Sequence, residues 1–439
     1  MLSLSDVLAQ PKGAYDNRAF EDIPRPRSNT KQVSWIEQNI KKRECNHFIP
    51  SQKYLNKCGC GRHFDHHSSE AKTHSNLEKG VDTPSTTSIS RQRWAIKKHT
   101  VLLPTDAYGT INFEGGGHQT VARYARVSFD TSPDTLLKLL HGVWRMKPPK
   151  LIITIHGGLT NFDLQPKLGR ALRRGLMKAA QSTDVWIITT GMHQGVVRHI
   201  CDALSDLKGN RRTKAQVNSI GIAPWGLIKK RNGLIGENQT VKYNMNLFAR
   251  GKFTMLNDAH SHFLMVDNGT VGRYGAEIIL RRQLETLLAT GTAPVVALLV
   301  EGGGFSVKLV HDYLTTSPSI PVVVCDGSGR ASDLLSFTHQ YLKEEDYLPD
   351  SIRAQLLNLV KQVFGMDDIQ STRLLRQIIE SARMKKLMNI FRLGEGMDDV
   401  DHAIFSALIK GSKVDQLRLA LAWNRVDIAR NQIFGGTFV

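Results

Sequence analysis

The chain has 439 residues, 41% of them hydrophobic, which is enough for two or three folded units with a real core. Its formal charge of +18 suits acidic partners such as nucleotide phosphates, but the charge is scattered rather than blocked, so specific nucleic-acid binding is not expected. No apolar run nears the roughly 18 residues of a membrane helix, no basic-then-apolar leader opens the chain, and five cysteines in so long a chain argue against a disulfide framework.

Residues 1 to about 30 are polar and broken by Pro11-Lys12-Gly13 and Pro24-Arg25-Pro26-Arg27, the pattern of a flexible tail. A short helix is predicted over Ser34–Lys42. Next comes a cluster of Cys45, Cys58, Cys60, His63, His66 and His67 within 23 residues. These are donors enough for a closed tetrahedral zinc site, with Cys45, Cys58, Cys60 and His66 the expected ligands and His63 or His67 as substitutes. The C-x-C spacing departs from the usual knuckle, and a polar loop with reduced cysteines is the competing reading. Ser68–Arg91 is Ser/Thr/Lys-rich and aperiodic, a linker pattern. Thr110–Phe113 and Tyr124–Phe129 read as strands around Gly115-Gly116-Gly117, and Asp134–Trp144 as an amphipathic helix.

The stretch from Leu151 to Asp333 organises the rest. Six apolar runs (Leu151–His156, Val185–Thr190, Ile220–Pro224, Phe263–Val266, Val295–Val300 and Val322–Cys325) alternate with helical patterns, and most end in glycine turns. Such runs are the buried strands of a parallel sheet. Helices are expected from Pro166, from Gly195 and from Tyr274, the last burying Ile278, Leu284, Leu287 and Leu288. Lys208–Lys214 reads as a basic insert, and residues 226–255 carry no clear period. After Tyr341 only helical patterns remain, over Leu356–Phe364, Leu374–Phe391, Val400–Ile409 and Asp415–Phe434. They read as the start of a helical-repeat array whose last apolar face is left open, as in a truncated product or one that pairs with a partner. The expected division is residues 1–90, 91–342 and 343–439.

Glycines at the carboxyl ends of parallel strands let a ligand approach the backbone. Gly157-Gly158, Gly191, Gly302–Gly304 and Gly327–Gly329, with Arg330 directly after, form a candidate phosphate cradle, although no standard dinucleotide or P-loop fingerprint is present. Tyr274 is placed to stack on a base, with Arg281 and Arg330 on phosphates. Glu277 is either a helix-start carboxylate or an acid/base group. His156, His193, His260 and His262 near strand ends read as polar pocket lining, because no nucleophile is spaced to pair with them.

Seven segments resemble one family: WIEQNIKKREC (35–45), PTDAYG (104–109), HGGLTNFDLQP (156–166), IGIAPWG (220–226), HSHFLMVDNGTVGRYGAE (260–277), PVVVCDGSGRASD (321–333) and LAWNRVDIAR (421–430). The family is the cytosolic N-terminal region of melastatin-type transient receptor potential (TRPM) cation channels, in the branch of the channel-kinases and their non-kinase relatives. The resemblance implies an α/β fold, a Rossmann-like SLOG domain followed by helical repeats. It also implies a calcium-permeable tetrameric channel at the plasma membrane, with this region on its cytoplasmic face, subunits as partners and the pore elsewhere. It further implies an ADP-ribose-type ligand at Tyr274, Arg281 and Arg330. His156 and Thr190 stand where relatives carry threonine and glycine. A phosphoribohydrolase-like enzyme, suggested by Gly269-Thr270 and Glu277, and a charge-driven RNA- or phospholipid-surface module are the alternatives.

Overall fold

Two short strands, β1 (Lys41–Cys45) and β2 (Thr100–Pro104), pair antiparallel as a separate ribbon. The main sheet holds ten strands: β3 (Ala107–Glu114), β4 (Thr120–Ser128), β5 (Leu151–Gly157), β6 (Val185–Thr189), β7 (Val217–Pro224), β8 (Gly236–Asn244), β9 (His262–Asp267), β10 (Val295–Val300), β11 (Val322–Cys325) and β12 (Met388–Phe391). Their spatial order is β12-β11-β10-β5-β6-β7-β9-β4-β3-β8, parallel everywhere except between β3 and β4. All six apolar runs read from the sequence are therefore strands, and the parallel α/β expectation holds.

This computed structural model describes residues 34–73, 93–115, 120–209, 217–245, 252–345, 347–394, 400–409 and most positions of 416–430. The expected N-terminal tail, most of the Ser/Thr linker, Gly116-Gly117, most of the basic insert and much of the last helix lie outside the described residues.

Period-two alternation divides the sheet between two faces. On β5, Leu151, Ile153 and Ile155 join a core covered by α1 (Pro166–Ser182) and α2 (Val196–Gly209). Ile152 faces the other way, into a core built with α3 (Ala276–Gly291), α4 (Gly304–Thr315) and α5 (Arg330–Glu345). Thr154 and His156 share that second face. The alternation thus decides which helices can reach the polar end of β5.

The C-terminal stretch differs from its reading. Helices α6 (Asp350–Phe364) and α7 (Asp368–Arg383) bury Leu356, Val360, Leu374, Ile378 and Ile379 in the same core as β10 and β11. The helix expected over Leu374–Phe391 stops at Arg383, and Met388–Phe391 then pairs in parallel with β11. A further helix, α8 (Val400–Leu408), places Val400 and Ile404 in the core of α1. Packing therefore runs on through residue 343, where a repeat array was expected to begin. A four-residue edge strand takes its stability from its neighbour's hydrogen bonds, so its own apolar pattern is too short to declare it.

Two other differences are local. The first helix closes at Asn39 because Ile40 is extended and leads into β1. Residues 226–255 hold 3-10 turns at Trp225–Leu227 and Arg231–Leu234 and the edge strand β8, whose mostly exposed polar residues hide its period.

The ends of β6 and β7 meet at glycines. A Cβ built on Gly221 lies 2.7 Å from the Gly191 Cα and 2.7 Å from the Phe263 ring. Neither neighbour is the free end of a flexible chain, so Gly221→Ala overpacks the strand ends. Its expected cost is about 1–3 kcal/mol, read as a lower urea midpoint at unchanged slope.

Candidate functional site

From β5 the chain proceeds through β6 to β7 on one side, and it later returns on the other side of β5 through β10 and β11. The crossover α1 lies on one face and α4 on the other. The gap between the carboxyl ends of β5 and β10 is therefore a topological switch point, where open α/β sheets bind ligands. The sheet brings His156, Gly157, Gly158, Gly302, Gly327, Gly329 and Arg330 to this edge.

The backbone there is bent away from ordinary strand geometry. Glu301 and Arg330 both sit at positive φ (59° and 45°), beside Gly302, Gly327 and Gly329. Left-handed non-glycine residues cost energy and collect at functional sites. The rim is open: a Cβ on Gly327 meets nothing within 4 Å, and one on Gly303 meets only the Arg330 guanidinium at 3.9 Å. Arg330, with 37% of its side chain exposed, lies over the Phe364 ring at 5.5 Å and 3.4 Å from Glu301 Oε1.

The cradle amides are already engaged. The N–H groups of Gly327 and Gly329 donate to Asp333 Oδ1 at 2.9 and 3.1 Å, that of Gly302 to Glu301 Oε2 at 3.2 Å, and that of Gly303 to Ser306 Oγ at 3.2 Å. An incoming phosphate must displace these partners rather than find free donors.

Arg281 is placed differently from its sequence reading. It is buried on α3, a helix with two stripes: Leu280, Leu284 and Leu288 enter the apolar core, while Glu277, Arg281 and Glu285 follow at the same spacing one residue on. Arg281 Nε donates to Glu285 Oε1 at 2.8 Å, and Nη2 donates to the carbonyls of Ile155 and Ile188 at 3.0 Å. Glu285 also accepts from Thr154 Oγ1 and Tyr313 Oη, and Tyr313 Oη lies 2.8 Å from His156 Nε2. Burial, with Arg281 close by, pushes the His156 pKa well below the usual imidazole range, so the ring is neutral. Burial beside Glu285 pushes the Tyr313 phenol well up. The guanidinium expected on a phosphate is thus committed to a buried network under β5. Thr154, Glu285, Tyr313 and Glu301 escaped the sequence reading, although the Arg281/Glu285 spacing of four was a usable signal.

Tyr274 sits at the same sheet edge after β9, its hydroxyl accepting from Gln194 Nε2 at 3.0 Å. Glu277 accepts from the Gly275 amide at 2.9 Å at the start of α3, and burial raises its pKa. It is a helix-start carboxylate without an acid/base partner among the contacts it makes. His260, fully buried, bonds Thr189 Oγ1 at 2.7 Å, and His193 bonds Asn257 Nδ2 at 3.0 Å. A cavity of about 720 Å³ opens elsewhere, lined in part by Asp134, Arg282 and Asp312, but Arg282 there is already paired with Asp312 at 2.6 Å.

The Cys/His cluster folds into a closed donor set of Cys45, Cys58, Cys60 and His67, all buried, with ligand atoms within 4.8 Å of one another. His66 corrects its expectation: it is exposed, in the turn Phe64–His66, while His67 is carried inward against Phe48. Cys45 and Cys58 sulfurs are 3.9 Å apart, and Cys60 Sγ is 3.3 Å from His67 Nε2. Zinc bonds of ~2.3 Å to sulfur span tetrahedral edges of about 3.8 Å, so these spacings suit that ion. His67 Nδ1 bonds the His63 carbonyl at 2.8 Å, which orients the ring with Nε2 toward the sulfurs. His63 contributes its backbone, not its ring. The C-x-C spacing works because Gly61, at φ 97°, turns the chain so that the amides of Cys60 and Arg62 lie 3.4 Å from the sulfurs of Cys58 and Cys60. Hydrogen bonds among the thiols hold Cys58 well down and push Cys60 well up, a competition for protons that a divalent cation would relieve.

The cluster is tied to the crevice rim. The Val271 amide donates to the Cys60 carbonyl at 2.8 Å, and Arg273 Nη2 donates to the Gly59 carbonyl. Both lie in the loop that delivers Tyr274 and the start of α3. Among the described residues, no helix is long and apolar enough to cross a membrane.

The family described as SLOG in TRPM matches residues 122–381. Over 99% of this chain the sequence is 45% identical to a transient receptor potential channel of Caenorhabditis elegans, covering 23% of that protein. It is 46% identical over 92% of the chain to transient receptor potential cation channel subfamily M member 1 of Mus musculus, and 41% identical over 92% to member 7 of Homo sapiens, covering 25% and 23% of those proteins. The chain spans about a quarter of the length of these relatives. The match over residues 122–381, more than half of the chain, on a sheet whose strand order reverses between β5 and β10, places the chain in the TRPM family, as an N-terminal region built on the SLOG domain.

Proposed function

We propose that this chain is the regulatory and assembly region of a TRPM-type cation channel, on the cytoplasmic face of the membrane, binding a phosphate-bearing ribonucleotide such as ADP-ribose at the switch-point crevice without transforming it. The observation that carries the reading is the open rim at Gly303 and Gly327, with the half-exposed Arg330 guanidinium beside it. Tyr274 supplies a ring at the same edge. Arg281 acts from beneath, holding β5 in place rather than touching the ligand. The passage of cations comes from the relatives' names, and contact with other channel subunits belongs to this proposal alone. Catalysis has little support: Glu277 is spent on a backbone amide, and His156 is neutral and enclosed. A structural zinc on Cys45, Cys58, Cys60 and His67 completes the reading.

The ligand is testable by thermal shift of the full chain with ADP-ribose, AMP and ATP. One of them at ~100 times its Kd adds about 2.7 kcal/mol of stability, a clear rise in Tm that Arg330→Ala removes. No shift with any of the three, in a chain that unfolds cooperatively, would rule out the nucleotide and leave the domain a scaffold.

A further inference from the structure

We propose that Glu301 is the specificity-determining residue of the crevice, its carboxylate standing as a built-in anion in the place a ligand phosphate takes; this rests on the reading of the crevice as a nucleotide site. Glu301 follows β10 directly, at the switch point. Its backbone is held at φ 59°, with its amide donating to Ser328 Oγ at 2.8 Å, and only 7% of its side chain is exposed. Strain and burial of this kind fix the carboxylate rather than let it sweep solvent.

The carboxylate lies flat against the β5 turn. A Cβ built on Gly158 falls 1.7 Å from Glu301 Oε2, so glycine is the residue that admits it. Oε2 accepts from the Gly302 amide, and Oε1 faces Arg330 Nη1. Glycine amide, glycine surface and guanidinium are what an anion site at a strand–helix turn offers. Here all three are held by one side chain of the chain itself. Glu301 is not needed as a helix cap, since Ser306 bonds the Gly303 amide at the start of α4. Asp333 differs, because it lies in the first turn of α5, where a carboxylate serves the helix in any case.

A phosphate entering the turn meets a like charge within hydrogen-bond range and must expel it to take the Gly302 amide and Arg330 Nη1. Glu301 therefore sets a threshold. Weakly bound monoanions are refused, and a ligand enters only when its remaining contacts compensate for the displacement.

The test compares wild-type chain with Glu301→Gln and Glu301→Asp, titrating inorganic pyrophosphate and ADP-ribose by calorimetry, with far-UV circular dichroism to confirm the fold. Glutamine keeps the shape and removes the charge. Aspartate keeps the charge but falls short of Gly158, and it serves if the glutamine variant does not fold. Pyrophosphate affinity is expected to rise at least tenfold in Glu301→Gln and by less in Glu301→Asp, with ADP-ribose following. No gain for pyrophosphate in either folded variant overturns the proposal, even if wild-type chain binds ADP-ribose. A gain for pyrophosphate, with ADP-ribose bound by no variant, supports Glu301 as the built-in anion and removes the nucleotide reading instead.

Discussion

Stripping metal from the chain is expected to release about one zinc per polypeptide and to unravel the segment from β1 to His67 while the ten-stranded sheet stays folded. The apolar core of that segment is small: Cys45, Phe48, Cys58 and Cys60, with Phe64 and Trp94 against them. So little buried surface cannot order a long loop by itself, and the donor set supplies the remainder. The measurement is zinc released to a colorimetric indicator by a thiol-competing chelator, followed by hydrogen exchange. Amides of Cys60 and Gly61 are expected to lose protection by on the order of 100-fold. The Val271 amide should follow, because its acceptor is the Cys60 carbonyl. Cys60→Ser should reproduce the effect without chelator. Acid should release the ion as well, since thiolates and a neutral imidazole are the binding forms. Chain that purifies without zinc and exchanges identically with and without chelator would leave these residues an ordinary buried knot of thiols.

The opposite fates of the two cluster histidines show where sequence reading ends. The donor inventory was legible, because three cysteines and four histidines in a short span are rare enough to read directly. Which imidazole turns inward depends on a 3-10 turn and on the packing of His67 against Phe48, and no spacing rule carries that. The parallel strands were legible for the reason given by their burial: continuous β-branched runs are covered on both faces. β8 and β12 were not, because one is an exposed edge with a polar sequence and the other is four residues long. At the crevice the glycines announced themselves, while the groups that answer them did not. Glu301, Asp333 and Ser306 are ordinary polar residues until the fold sets each against a particular amide. The buried partners of Arg281 were hidden for the same reason. An arginine one to two turns past a glycine loop suggests a phosphate, and the alternation of β5, which turns Thr154 and His156 toward α3, brings that charge into contact with the protein's own groups.

Glu285→Ala is expected to be among the most damaging single substitutions in the described fold. Glu285 is fully buried and Arg281 nearly so, and removing the carboxylate leaves a guanidinium enclosed without its counter-charge. Breaking a buried pair in this way costs about 3–5 kcal/mol, to be read as a lower midpoint in guanidinium unfolding. Replacing both partners, Arg281→Met with Glu285→Leu, should recover much of the loss, since neither charge then remains to be solvated. A double variant as unstable as the single one would mean that the hydrogen bonds to Thr154 and Tyr313, rather than the charge balance, hold this end of β5. The same network predicts a pH dependence with a definite sign. His156 is neutral in the fold and has its pKa depressed, so the unfolded chain binds the extra proton first. Stability is therefore full above about pH 6.5, the ordinary imidazole value, and falls as the pH drops toward the depressed folded value. His141 and His193 are depressed by burial too, so His156→Gln should flatten the acid limb of the stability curve without abolishing it. An acid limb unchanged by that substitution would place the proton-sensitive step elsewhere and return His156 to a packing role.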